Sequence, residues 1–261
     1  MNPLAETIQW ASRPNIPPLA GNEIHVWATV LAAPANILEG LFHHLSPDEK
    51  ERANKFKFEK HRNRYIAGRG VLRTILGQYL SVDPADLRFV YAENGKPTLA
   101  EEIAGAGIHF NLAHTGELAL LAVTRIGRIG VDVESVRSVK NVDELVARFF
   151  SSRENALFQK VPEENKPAAF FNLWTRKEAL LKATGEGITR SLSLVEVSFL
   201  PGEPARLVAI SGDTMKAAQW SLRELSPATG YAAAVAIQLG TSNIQLGKDS
   251  DSLNVRCWRW A

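Results

Sequence analysis

The sequence predicts an α+β protein made of two similar halves. Alternating apolar and polar residues occur in groups, and segments with helical periodicity separate those groups. The order strand, helices, strands runs once before residue 125 and once after it. The expected division is 1–125 and 126–261, with no low-complexity linker and therefore a shared interface. The 261 residues carry 45% apolar and 22% charged side chains, which excludes disorder. A net charge of +2 gives no bulk drive toward nucleic acid, so any anion site must be local. The single cysteine, Cys257, excludes a disulfide framework and fits a reducing cytoplasm. The first residues lack a basic start followed by an apolar stretch, so no secretory signal is expected. The richest apolar run, Tyr231 to Ile237, is far short of the roughly 20 residues a bilayer requires.

The elements follow in order. Ile24, Val26, Ala28 and Val30 alternate with His25, Trp27 and Thr29, the period of a half-buried strand. Ser46-Pro47-Asp48-Glu49 is a capping box with proline at the first helical position, predicting a charged helix to about Lys60. Leu72, Ile75, Leu76 and Tyr79 mark the core stripe of a second helix over 63–80. Asp83-Pro84 opens a turn before a strand over 87–91, which ends at the turn signal Asn94-Gly95-Lys96-Pro97. Strands are expected over 108–113 and 118–124, separated by His114-Thr115-Gly116. In the second half Gly127 precedes a strand over 129–134. Helices are expected over 143–150, 152–160 and 167–184, the second opened by a Ser151/Glu154 capping box and the third stopped by Gly185. Val195, Val197 and Phe199 share a strand face, and strands over 207–210, 220–224 and 231–238 complete a sheet.

The segment Gly130-Val131-Asp132-Val133-Glu134 carries the strongest chemical signal. Strand geometry sends Asp132 and Glu134 to one face and the valines to the other. Two carboxylates joined by a third suit Mg²⁺, which takes oxygen ligands and keeps part of its shell for water and substrate phosphate. Two solvated acids on an exposed strand are the plainer alternative. Trp174, Glu178 and Lys182 follow at four-residue spacing on one side of the long helix. Glu178 and Lys182 could serve metal and phosphate, or form a surface pair worth about 0.3 kcal/mol; Trp174 is expected to pack. His114 follows the strand Phe110-Asn111-Leu112-Ala113 and precedes a glycine turn, where an imidazole can face an anion. Arg52, Arg64 and Lys96 suit a polyphosphate, although each by itself reads as surface charge.

The order and spacing of these segments resemble the 4'-phosphopantetheinyl transferases, specifically the longer two-subdomain class called Sfp-type. The likeness covers most of residues 46–190. It rests on Ser46-Pro47, Arg64 ahead of Gly68, Gly95-Lys96-Pro97, Phe110-Asn111-Leu112-Ala113-His114, Gly130 to Glu134, Arg148-Phe149-Phe150-Ser151, and Trp174 to Lys182 followed by Gly185-Glu186-Gly187. The resemblance implies a pseudo-twofold pair of subdomains with the active site in the cleft between them. It also implies transfer of phosphopantetheine from coenzyme A to a serine of an acyl or peptidyl carrier protein, with Mg²⁺ and with release of adenosine 3',5'-bisphosphate. Asp132, Glu134 and Glu178 then match metal carboxylates, with Glu178 also the candidate general base, acting directly or through a water. His114 and Lys182 match pyrophosphate contacts. Arg64 and Lys96 match coenzyme contacts, with Arg64 and Arg52 near the 3'-phosphate. The family often has a lysine where Glu49 stands, and Lys50 is the compensating candidate. The carrier is expected to be small and acidic, received by patches to which Arg148 and Phe149 are candidate contributors, with Phe149 more readily read as core. A cytoplasmic monomer is expected, with no nucleic-acid or membrane partner. Two other readings share the carboxylates: a Mg²⁺-dependent phosphohydrolase or nuclease, and a non-catalytic coenzyme A or carrier-binding module. Retention of Asp132, Glu134, Glu178 and Lys182 argues against the second.

Overall fold

The two larger sheets pack face to face and helices cover their outer surfaces, so these sheets border one core between them and another under the helices on each side. A computed structural model describes residues 9–13, 15–93, 95–105, 107–185, 192–239 and 253–260. The first half contains β1 (Glu23–Val30), α1 (Ala35–His43), α2 (Pro47–Asn54), α3 (Glu59–Leu80), β2 (Phe89–Tyr91), β3 (Pro97–Leu99), α4 (Glu101–Ala104), β4 (His109–Thr115) and β5 (Leu118–Thr124). The second contains β6 (Ile129–Ser135), α5 (Val142–Phe149), α6 (Ser152–Phe158), α7 (Lys166–Thr184), β7 (Val195–Val197), β8 (Leu207–Ile210), α8 (Thr214–Ala217), β9 (Trp220–Leu225), β10 (Tyr231–Gln238) and β11 (Asn254–Arg259). Among the described residues no helix is long and apolar enough to cross a membrane.

The larger sheets have the orders β11-β1-β5-β4 and β6-β10-β9. Trp27, Leu121 and Val123 face a core shared with Ile66, Leu72 and Ile75 of α3. Their neighbours Val26, Leu120 and Ala122 face Val131, Val133 and Val235 of the other sheet. The period-two pattern of β1 therefore separates two buried faces, not core from water. His25 and Thr29, expected on a half-exposed face, are buried. His25 is satisfied there by Tyr79 Oη at 2.7 Å and Glu23 Oε2 at 3.0 Å. Between the sheets, Val131 N donates to Asn111 Oδ1 at 2.9 Å.

Several expected boundaries move. The helix opened by the Ser46 capping box stops at Asn54, and Lys60 belongs to α3, whose extended N-cap is Phe58. His114 and Thr115 are strand residues, not turn residues: Thr115 pairs with Leu118, and the reversal is left to Gly116 (φ 55°) and Glu117. Helices α1, α4 and α8 and strands β3 and β11 were not anticipated. β11 runs parallel to β1, with Cys257 opposite Val26, so the last described strand lies in the sheet of the first half. Phe149, read as core, is 40% exposed, and Phe150 takes the buried place. Asn94, Glu186 and Gly187 of the quoted motifs lie outside the described residues.

Candidate active site

On β6 the apolar residues Ile129, Val131 and Val133 pack between the sheets, which turns Gly130, Asp132 and Glu134 toward α7. Gly130 makes close seating possible: a Cβ there would lie 2.1 Å from Ala179 O and 2.4 Å from Ala183 N. Ala232, Ala234 and Ala236 of β10 face the same core, so small residues let the helix backbone approach the sheet. This approach brings Asp132 to the turn of α7 that carries Glu178 and Lys182. Trp174, one turn earlier, stacks on Phe170 at 6.0 Å and packs as expected.

Lys182 Nζ donates to Asp132 Oδ1 at 2.6 Å. Asp132 and Glu178 are buried, and among the described residues Asp132 Oδ2 and Glu178 Oε1 have no hydrogen-bond partner. Desolvation pushes Asp132 up to about 6, with Lys182 pulling down and Glu134 pushing up. Desolvation likewise pushes Glu178 up to about 7, assisted by the negative charges of Asp132 and Glu134 and opposed by Lys182. Glu134 is engaged elsewhere: its Oε2 accepts from Thr115 Oγ1 at 3.1 Å and from Arg137 Nη1 at 3.4 Å. Among the described residues no three His, Cys, Asp or Glu side chains form a ready cation site. The two buried carboxylates still suit a cation chemically. Each has an oxygen without a partner among the described residues, the charge of Asp132 raises the proton affinity of Glu178, and one lysine compensates only part of their charge.

A cleft of about 700 Å³ is lined from the first half by Arg52, Arg64 and His114 and from the second by Glu134 and Arg137; Glu134, two residues along β6 from Asp132, reaches it, whereas Asp132, Glu178 and Lys182 are not among its lining residues. Arg64 Nη2 pairs with Glu117 Oε1 at 3.3 Å, while its buried Nε has no partner among the described residues. The Arg52 guanidinium lies 5.4 Å from the centre of the Tyr65 ring, another part of the wall. Lys96 is placed differently. Gly95 and Pro97 border the cleft, but Lys96 Nζ donates to Ile129 O at 3.1 Å and to Lys182 O. Burial, and secondarily Arg128, pulls its ammonium down to about 8.

Arg69 also lines the cleft and was missed by the sequence reading. Its guanidinium donates to Glu49 Oε1 through Nε at 2.7 Å and to Tyr91 Oη at 2.7 Å. Glu49 is therefore no cleft residue: it is 2% exposed and also accepts from Arg73 Nε at 2.5 Å. Charged Arg69 and Arg73 on a helix with apolar neighbours were the available signal, since a buried arginine requires a buried acceptor. Lys50 donates to His43 O and does not replace a cleft lysine. The Cys257 thiol, pushed up to about 12 by burial, is chemically quiet.

Comparison with known proteins agrees with this architecture. Residues 128–236 match the 4'-phosphopantetheinyl transferase superfamily, and residues 34–126 match the description 4'-phosphopantetheinyl transferase, N-terminal. The chain is 43% identical over 228 residues to 4'-phosphopantetheinyl transferase HetI of Nostoc sp., covering 87% of this chain and 93% of that relative. It is 32% identical over 212 residues to the phosphopantetheinyl transferase of Thraustochytrium sp., covering 76% and 70%. It is 27% identical over 153 residues to 4'-phosphopantetheinyl transferase Sfp of Bacillus subtilis, covering 59% and 66%. An alignment at 43% identity along nearly the full length of both proteins means that the chain belongs to the 4'-phosphopantetheinyl transferase superfamily, in its Sfp-type class.

Proposed function

We infer that the Asp132–Glu178–Lys182 cluster is the transfer centre of this 4'-phosphopantetheinyl transferase, and that the basic cleft reached by Glu134 receives coenzyme A. The reaction moves phosphopantetheine from coenzyme A to a serine of an acyl or peptidyl carrier protein and releases adenosine 3',5'-bisphosphate. The observation that carries the site assignment is the pair of buried carboxylates whose oxygens lack partners among the described residues, one of the pair bonded to Lys182, on a strand whose Glu134 lines an arginine-rich cleft.

The serine oxygen attacks the phosphorus on the pantetheine side of the pyrophosphate, and the bond to the bridging oxygen of the bisphosphate breaks. Anionic oxygens around that phosphorus repel the nucleophile, and charge accumulates on the leaving oxygen. Lys182 supplies a cation beside Asp132, where it can move from carboxylate to phosphate at a cost limited by the partly solvated position of its side chain. Glu178 is the candidate acceptor of the serine proton, directly or through a water; its proton affinity, raised to about 7 by burial, is that of the cation-free site. Arg64, whose Nε has no partner among the described residues, and Arg52 are suited to the 3'-phosphate, and His114 to the pyrophosphate. Asp132 and Glu178, with Glu134 nearby, are the residues that would hold Mg²⁺. The bound ion would offset the negative charge of the pyrophosphate.

The hydrolytic and non-catalytic readings draw no support from the relatives described, all named as transferases. We further propose that residues 1–125 and 126–261 act as subdomains around the cleft, the second lending β11 to the sheet of the first, and that a cytoplasmic monomer is the working form. Intact mass spectrometry of an apo carrier domain incubated with the protein, Mg²⁺ and coenzyme A tests the function. The expected result is the mass increase of one phosphopantetheine group. Unmodified fatty-acid, polyketide and peptide-synthetase carriers would contradict it.

A further inference from the structure

The turn before β3 holds a lysine that reaches across the molecule. Lys96 lies between Gly95 and Pro97, both on the cleft wall, yet its Nζ bonds to backbone carbonyls of the second half. One is Ile129 O, at the start of β6. The other is Lys182 O, in the last turn of α7. The last four carbonyls of an α-helix have no partner within the helix. Here Gly185 N satisfies Leu181 O at 3.0 Å, and the Lys96 ammonium takes the next carbonyl, at the end of the helix where positive charge is favourable. A side chain from one half thus caps a helix of the other.

The cap acts where the active cluster is most sensitive to helix position. Gly130 follows Ile129 directly, and a Cβ at 130 would lie 2.9 Å from the Lys182 carbonyl carbon, so β6 and α7 touch at the point Lys96 ties together. Lys182 then projects to Asp132 Oδ1 at 2.6 Å. Fraying of this last turn would carry the Lys182 ammonium away from Asp132 even with the rest of the fold intact. Lys166 and Lys177, the other lysines of α7, cannot substitute, since their ammonium groups are bonded to Asp143 and Glu163 and to Glu154, respectively.

We propose that Lys96 is a positioning residue, which fastens the end of α7 to β6 so that Lys182 is set against Asp132, and that it is not a ligand of coenzyme A. This rests on the assignment of Lys182 to the transfer centre. Because Gly95 and Pro97 flank it on the cleft wall, it also connects occupancy of the cleft to the geometry of the centre.

The test compares Lys96→Met and Lys96→Arg with the wild-type full chain in three measurements. In steady-state carrier modification, Lys96→Met should lower kcat about tenfold or more and leave KM for coenzyme A within about twofold, the pattern of lost transition-state geometry. Lys96→Arg, which can still donate to two carbonyls, should recover much of kcat. Calorimetric binding of adenosine 3',5'-bisphosphate should change by less than about threefold in both variants, whereas a phosphate ligand would lose about tenfold or more. Hydrogen exchange of amides 181–185 should speed up in Lys96→Met and stay near wild type in Lys96→Arg. A raised KM with unchanged kcat, or unchanged exchange at 181–185, overturns the proposal. Failure of the wild-type protein to modify any carrier would refute the functional reading alone, because the exchange measurement still decides whether Lys96 caps the helix.

Discussion

A Cβ on Gly130 would stand 2.1 Å from the carbonyl oxygen of Ala179, so the strand carrying Asp132 and the helix carrying Glu178 approach as closely as a backbone without a side chain permits. The distance between the two carboxylates is thus set by an absent methyl group.

Gly130→Ala is therefore expected to lower stability by about 1–3 kcal/mol, since the obstructing atoms are backbone and cannot swing aside. Moving Glu178 and Lys182 away from Asp132 should also lower kcat by about tenfold or more. Urea denaturation and carrier-modification kinetics on the same preparation check both effects. A wild-type midpoint would mean that the helix is not seated on this glycine.

The two buried carboxylates make stability depend on pH and on cations. Their folded proton affinities, about 6 for Asp132 and about 7 for Glu178, lie above the ordinary carboxylate range, so folding favours their protonated forms. That contribution is present at low pH and lost as pH rises through 6 and 7. Without divalent cations, Glu178→Gln should be roughly 1–3 kcal/mol more stable than wild type at pH 8, with the difference shrinking toward pH 5. Millimolar Mg²⁺ should raise the wild-type Tm and leave that of Glu178→Gln nearly unchanged. Thermal melts across pH, with and without Mg²⁺, give the answer, and equal Mg²⁺ shifts for both proteins would remove Glu178 from the metal site.

Glu49→Lys would insert the residue common in the family. Here it would leave Arg69 and Arg73 without their shared acceptor and bury a third cation beside them. A loss of about 3–5 kcal/mol is expected. Chemical denaturation measures it, and a variant as stable as wild type would show that the arginines have another acceptor.

Arg64→Ala should separate affinity from turnover. Loss of a cleft guanidinium is expected to raise KM for coenzyme A about tenfold while kcat stays within about threefold, with the salt dependence of KM reduced in parallel. A fall in kcat at constant KM would instead place Arg64 at the reacting phosphate.

Much of the molecule was legible in the chain itself. The Ser151/Glu154 capping box, the strands over 118–124, 207–210 and 231–238, and the stop of α7 at Gly185 occur as read. These signals are short-range: a cap, a period or a left-handed glycine acts within a few residues. The four-residue break at 55–58 was hidden because Lys55 and Lys57 continue a charged pattern compatible with helix. β11 was hidden because its partner β1 lies more than two hundred residues away. At the candidate site, the common face of Asp132 and Glu134 and the one-turn spacing of Glu178 and Lys182 were visible as strand and helix periods. The diversion of Glu134 to Thr115 and Arg137, and of Lys96 to Lys182 O, was not.

The sequence by itself determined which residue types were available, in what order and on which face of each element, because backbone geometry converts spacing into direction. Only the tertiary structure decided which of those faces meet. It buried Glu49 between two arginines, left Phe149 outside and aimed Lys96 at a helix end, because desolvation and close packing act between segments far apart in the chain.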